Sequence, residues 1–333
     1  MKKRHLLYLL LSGTLLFTAG VLTAQEEIIR ISDTERLAVG PGPEDMVLDT
    51  LGKVHRLLIS CRARREEYKP YGEIEALDLH TGERSVLSRM GEPDDIRFEP
   101  HGIYLEGDRL YVISHEKEPD YHPVLIYRVG LEKLEFLERV HAPYMHSPNA
   151  LVTGPSGEIY LVNDSGKRGS MMEKALKQKK ASVVRLTKNA QGVWSPKVVA
   201  EKLGYPAGIN RLGEQIYVGD ALLHKIHSYT ITPEGLEPAG EIGDLKGNDN
   251  LRIQRGHILT PGHVKPLRFI RHTKKASHLS PVTVFLADPG TGHHQILYEN
   301  DGSQISGGST ALIYRDHLYI SQIFDPYLLK VRL

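Results

Sequence analysis

The chain has 333 residues, 40% of them hydrophobic and 25% charged, an ordinary balance for a globular protein that buries a large core. Its 42 basic and 41 acidic side chains nearly cancel, which excludes the strongly basic face that a nucleic-acid partner requires. Cys61 is the sole cysteine, so no internal disulfide can form.

Residues 1–24 read as an export signal: Lys2, Lys3 and Arg4 precede an apolar run over 6–22, and small Ala24 stands before Gln25-Glu26-Glu27. The run also approaches the length of a short membrane span, so a cleaved leader and a membrane anchor over residues 6–24 are both open. Either reading places the folded body, residues 25–333, outside the cytoplasm, periplasmic or secreted. The anchor adds association with a membrane. No lipobox cysteine lies near residue 24, which removes the lipoprotein reading.

After this segment, 28–37 reads as a short strand and Gly40-Pro41-Gly42-Pro43 as a turn. A cassette then recurs about every 50 residues, a polar residue at a turn followed by a strand pair joined through glycine. Its copies are Pro100-His101-Gly102-Ile103 before Leu110-Tyr111-Val112-Ile113, and Pro148-Asn149-Ala150-Leu151 before Ile159-Tyr160-Leu161-Val162. Ala207-Gly208-Ile209-Asn210, Asp249-Asn250-Leu251-Arg252 and Ser309-Thr310-Ala311-Leu312 continue it, and Glu44-Asp45-Met46-Val47 is a diverged first copy. Six copies of that length predict an all-β, six-bladed β-propeller forming one domain. Alternating segments at 74–79, 124–129, 182–186, 225–231 and 328–333 are expected as its outer strands. Residues 166–180 interrupt the rhythm with Met171, Met172, Ala175 and Leu176 at helical spacing. They predict a short inserted helix, either a solvated surface element or a lid over the axis.

Equivalent positions of the blades converge on the axis, and here they are Glu44, His101, Asn149, Ala207, Asp249 and Thr310. Oxygen-bearing side chains so gathered suit Ca²⁺, which takes six to eight oxygen ligands. Glu44 and Asp249 bring two negative charges, and Asn149 and Asn250 bring neutral carbonyl oxygens. Zinc is disfavoured because no His-Glu-x-x-His spacing occurs, and the lack of a Gly-x-Ser-x-Gly elbow disfavours a serine esterase.

Several segments together resemble the paraoxonase/arylesterase family of calcium-dependent lactonases, which are six-bladed propellers related in architecture to gluconolactonases. These segments are Pro43-Glu44-Asp45, Phe98-Glu99-Pro100-His101-Gly102-Ile103, Val112-Ile113-Ser114-His115, Asn163-Asp164, the run from Ala221 to Tyr229, and Tyr298 to Gly302 through Gly308-Ser309-Thr310. The resemblance covers the chain from about residue 40 onward. It implies that Glu44, Asn149, Asp249 and Asn250 are ligands of a catalytic calcium, that His101 and His115 are paired beside it, and that His263 lies in the pocket. Two positions depart from the family. Ala207 replaces an asparagine ligand, and Ala150 replaces an aspartate of a second, structural calcium, leaving Asp45 and the Ile103 carbonyl. The second ion is therefore expected to be weak or absent, and the family's bridging disulfide is missing.

The expected activity is calcium-dependent hydrolysis of a small lactone or aryl ester. In it the metal polarises the carbonyl, and His101, oriented by His115, or else Asp249, activates water. A propeller that binds partners without catalysis is the alternative, with Ala207 as its support.

Overall fold

Six sheets follow one another along the chain in the order of six propeller blades, each built mainly from strands adjacent in sequence. The computed structural model describes residues 33–333, apart from 118, 171, 172, 174, 175 and 177. The export segment at 1–24 and the core of the helix expected at 166–180 lie outside the described residues. No helix among the described residues is long and apolar enough to cross a membrane.

The innermost strands are Pro43–Asp49, Pro100–Glu106, Pro148–Thr153, Pro206–Leu212, Arg252–Gln254 and Gly308–Tyr314. Inner strands are covered on both faces by neighbouring blades, so burial does not alternate along them: every residue of the innermost Pro148–Thr153 and of its neighbour Ile159–Asn163 is buried. Between each pair of blades lies one wedge of core. Val47, Leu58 and Ile74 of the first blade meet Leu110, Val112 and Tyr127 of the second. Around the ring, Leu312, Tyr319 and Leu328 of the sixth meet Met46, Leu57 and Ile59 of the first. That last wedge closes the circle, and the strand Thr34–Ala38 seals it by pairing antiparallel with Tyr327–Arg332 as the outer edge of the sixth blade. A chain start and a chain end thus share one sheet, which removes the open edges a linear stack would leave.

Two expectations need correction. The segments taken as outer strands are third strands. Outside them run Arg84–Val86, Lys133–Val140, Trp194–Leu203 and Leu236–Ile242. Those true edges alternate weakly and face water, as in Leu236–Ile242, where only Ile242 is fully buried, so hydrophobic pattern does not reveal them. The helix Pro266–Lys274, here α1, was also missed: it is only nine residues long, four of them basic or histidine, and its Leu267 and Ile270 stay exposed.

The site is aimed by a recurring defect in the inner strands. In five blades the pairing register slips at the same place: between Pro43 and Asp45, Pro100 and Ile103, Pro148 and Ala150, Pro206 and Gly208, and Gly308 and Ala311. Each slip is a β-bulge, which turns a side chain away from the sheet's regular alternation. Proline opens four of them, consistent with its preference for strand starts and bulges. The backbones are then so close that glycine is required in two blades. A Cβ on Gly102 would press into the Asn149 carbonyl, and one on Gly208 into that of Asp249.

Candidate active site at the propeller axis

Four bulges and the Asn248-Asp249 segment bring Glu44, His101, Asn149, Ala207 and Asp249 to the wall of one cavity of about 410 Å³ at the starting ends of the inner strands. The sixth equivalent residue, Thr310, does not line it. Its buried hydroxyl donates instead to the Glu44 carbonyl at 3.1 Å and to Asp45 Oδ1 at 2.8 Å.

A second tier, of which the sequence reading expected only His263 in the pocket, completes the wall. Arg64, Asp164, Ala221, His263 and Ile323 line the same cavity, and each follows closely on the second strand of its blade. The same period that located the first tier would have found these. Tyr205, Asn248, Phe269 and Phe324 add the remaining surface, with Arg168 from the segment after Asp164.

Electrostatically the cavity interleaves carboxylates with cations. Glu44 Oε2 accepts from Arg64 Nη2 at 2.5 Å and lies 2.6 Å from His101 Nδ1. Burial raises the Glu44 carboxyl, but Arg64 and then His101 outweigh it and bring it down to about 2. Burial likewise lowers His101, with Glu44 pulling the other way, so the imidazole rests neutral. Asp164 faces Arg168 at 3.7 Å and accepts from Asn149 Nδ2 at 3.4 Å. Asp249 Oδ2 is 3.1 Å from His263 Nε2, and that ring stacks on Phe269 of α1 at 3.8 Å between centroids.

His115 sits behind His101, with ring centroids 4.6 Å apart, and is almost wholly buried. Burial, with Arg168 and His101 nearby, takes its pKa well below the ordinary value. Its Nδ1 is 3.0 Å from His122 Nδ1, and His122 Nε2 donates to the Pro119 carbonyl at 2.8 Å. A neutral His122 so fixed accepts at Nδ1, and His115 donates to it.

Two positions bear on a divalent ion. At the cavity wall the side-chain chemistry suits calcium, with Glu44, Asn149, Asp164 and Asp249 all lining it; Asn250, expected as a ligand, is buried but does not line the cavity, and its Nδ2 donates to Ser309 Oγ at 3.2 Å. One residue deeper, the second position does not fit. Asp45 and the Ile103 carbonyl, expected as remnants of a weaker site, are both engaged by the Arg252 guanidinium. Asn210 is buried there too, donating to the Leu251 carbonyl at 2.9 Å, away from the cavity.

The arylesterase family profile matches residues 68–329. The chain is 24% identical over 281 residues to the serum paraoxonase/lactonase 3 of Mus musculus, covering 77% of this chain and 76% of that protein. It is 24% identical over 283 residues to the serum paraoxonase/arylesterase 1 of Rattus norvegicus, with 77% and 76% covered. Among solved structures, a luciferin-regenerating enzyme superposes with a TM-score of 0.56 at 10% identity, covering 90% of this chain and 95% of that one. The aldose sugar dehydrogenase of Streptomyces coelicolor gives 0.55 at 13%, covering 90% and 98%. At such identities the structural likeness speaks for the propeller alone. The family match spans most of the chain, including the second to fifth blades whole: the protein belongs to the arylesterase family and is a hydrolase of lactones or esters.

Proposed function

We propose that the protein hydrolyses small lactones or aryl esters outside the cytoplasm, using one calcium ion held by Glu44, Asn149, Asp249 and Asn250 at the axial cavity. The observation that carries this reading is the convergence of the oxygen-bearing side chains of Glu44, Asn149, Asp164 and Asp249 on the wall of one cavity. Ala207 adds no oxygen, so water completes the shell. When bound, the ion would supply a Lewis acid for the scissile carbonyl.

The side chains do the rest. His101 Nδ1 lies 2.6 Å from Glu44 Oε2 and 2.9 Å from Arg64 Nη2; in the tautomer whose Nδ1–H faces Glu44, the lone pair is on Nε2, a buried atom with no hydrogen-bond partner among the described residues. A neutral ring so oriented is a general base for water at Nε2. His115 is a positioning residue, packed against His101 and held in turn by His122. Asp249 is the rival base, although His263 already engages one of its oxygens. Tyr205, Phe269 and Phe324 offer apolar wall to the substrate's ring.

The deciding experiment is hydrolysis of a chromogenic aryl ester and of γ- and δ-lactones, with and without chelator. Activity that chelator abolishes and Ca²⁺ restores supports the proposal. Turnover indifferent to chelator removes the metal from it, and calcium binding without turnover favours the non-catalytic propeller. His101→Gln is expected to leave calcium affinity unchanged by calorimetry while lowering kcat by about 10²-fold or more at its optimal pH. A variant with wild-type kcat would mean that His101 is not the base.

A further inference from the structure

We infer that Arg252 is a built-in cation at the hub of the propeller, standing where a second divalent ion would sit, so that the ring closes without a structural metal. The guanidinium reaches three blades at once. Nη2 donates to Asp45 Oδ1 and, at 3.2 Å, to the Ile103 carbonyl; Nε donates to the Met46 carbonyl at 2.9 Å; and Nη1 donates to the Leu251 carbonyl at 2.9 Å. Those acceptors belong to the first, second and fifth blades.

The remaining blades, except one, join through the same atoms. Asn210 of the fourth donates to the Leu251 carbonyl, and Thr310 of the sixth donates to Asp45 Oδ1 at 2.8 Å. Asp45 Oδ2 accepts the Ile103 N–H at 2.8 Å. The third blade brings Ala150, which has no polar side-chain atom to offer. An arginine presents five N–H donors in a planar fork, whereas a hard dication needs six to eight oxygens arranged around a point. Here the oxygens lie where N–H groups reach them.

Charge supports the same exchange. A dication between two aspartates is balanced, and so is one guanidinium against one aspartate. Alanine at 150 together with arginine at 252 keeps the buried hub neutral, while either change alone would leave it charged. Asp45 is 1% exposed, and burial raises its carboxyl above the usual range, with Arg252, the Ile103 N–H and Thr310 pulling the other way. Loss of the guanidinium would leave that carboxylate buried without its countercharge, the costly way to break such a pair.

The first test is calcium stoichiometry. Wild-type protein stripped by chelator, dialysed and titrated with Ca²⁺ is expected to take up no more than one ion per chain. Uptake of two would overturn the inference, and uptake of none would sustain it while removing calcium from the proposed active site. The second test compares Arg252→Lys, which keeps the charge, with Arg252→Met, which keeps only the length, by thermal unfolding in chelator. Arg252→Met should melt lower by about 5 °C or more, or fail to fold where Arg252→Lys folds. Equal melting temperatures would show that the charge contributes nothing and would overturn the inference.

Discussion

Asp249→Ala is expected to abolish calcium binding and to lower kcat/KM for lactone hydrolysis on the order of 10³-fold. The size follows from how charge is distributed around the cavity. Glu44 is already countered, since its Oε2 holds Arg64 at 2.5 Å and His101 at 2.6 Å. Asp164 likewise faces Arg168. Among the described residues Asp249 faces no lysine or arginine, and its one ion-pair partner is the imidazole of His263 at 3.1 Å. Much of the uncompensated negative field offered to a cation therefore resides on Asp249. Its removal also withdraws the rival general base, so two losses coincide in one variant. Calorimetric titration with Ca²⁺ beside lactone hydrolysis checks the expectation, and calcium affinity equal to wild type would refute the ligand assignment. Asp249→Asn separates the contributions: it keeps an oxygen ligand and removes the charge, so it should retain weak binding that excess Ca²⁺ saturates.

Much of the fold was legible because a propeller repeats its inner strands under one constraint. Every inner strand is sandwiched between neighbours, so each is largely buried, and five of the six open at the same bulge. Pro43-Glu44, Pro100-His101, Pro148-Asn149 and Pro206-Ala207 mark that bulge directly in the sequence. The outer edges obey no such rule, because solvent accepts almost any side chain there. Lys133–Val140, with buried positions only at Leu134 and Val140, shows how little pattern survives.

The site was legible in its first tier and, apart from His263, obscure in its second for a different reason. Glu44, His101, Asn149 and Asp249 carry chemistry on their face, and their spacing brings them together. Arg64 and Arg168 carry no such mark, since 25% of the chain is charged and most such residues are solvated. Only the fold reveals that Arg64 turns inward, where its side chain is 16% exposed, and that Arg252 is buried beside Asp45. That alanine stands at 150 and 207, where the family resemblance implies oxygen ligands, was visible from sequence. What replaces them was not, because a compensating cation can come from any blade.

Arg64→Met is the variant in which the metal and the salt-bridge lattice are set against each other. Arg64 and a calcium ion both draw on the Glu44 carboxylate, so in the metal-free protein the arginine holds a charge that the ion would otherwise take. Removing it is expected to tighten Ca²⁺ binding by about tenfold or more, equivalent to about 1.4 kcal/mol. Without metal the same variant should be less stable by about 3 kcal/mol, because Glu44, only 6% exposed, is left with His101 as its main partner. Calcium should then restore what was lost, since a ligand at 100 times its Kd adds about 2.7 kcal/mol to the folded state. Chemical denaturation with chelator and with saturating Ca²⁺ measures both halves in one pair of curves. If Arg64→Met is destabilised equally in both conditions and binds calcium no more tightly, the ion does not use Glu44, and the arginine is a permanent countercharge there just as Arg252 is at the hub. If the loss appears only in chelator, Arg64 keeps the cavity closed and neutral until the metal arrives, and the cost of displacing it sets the calcium concentration at which the enzyme becomes active.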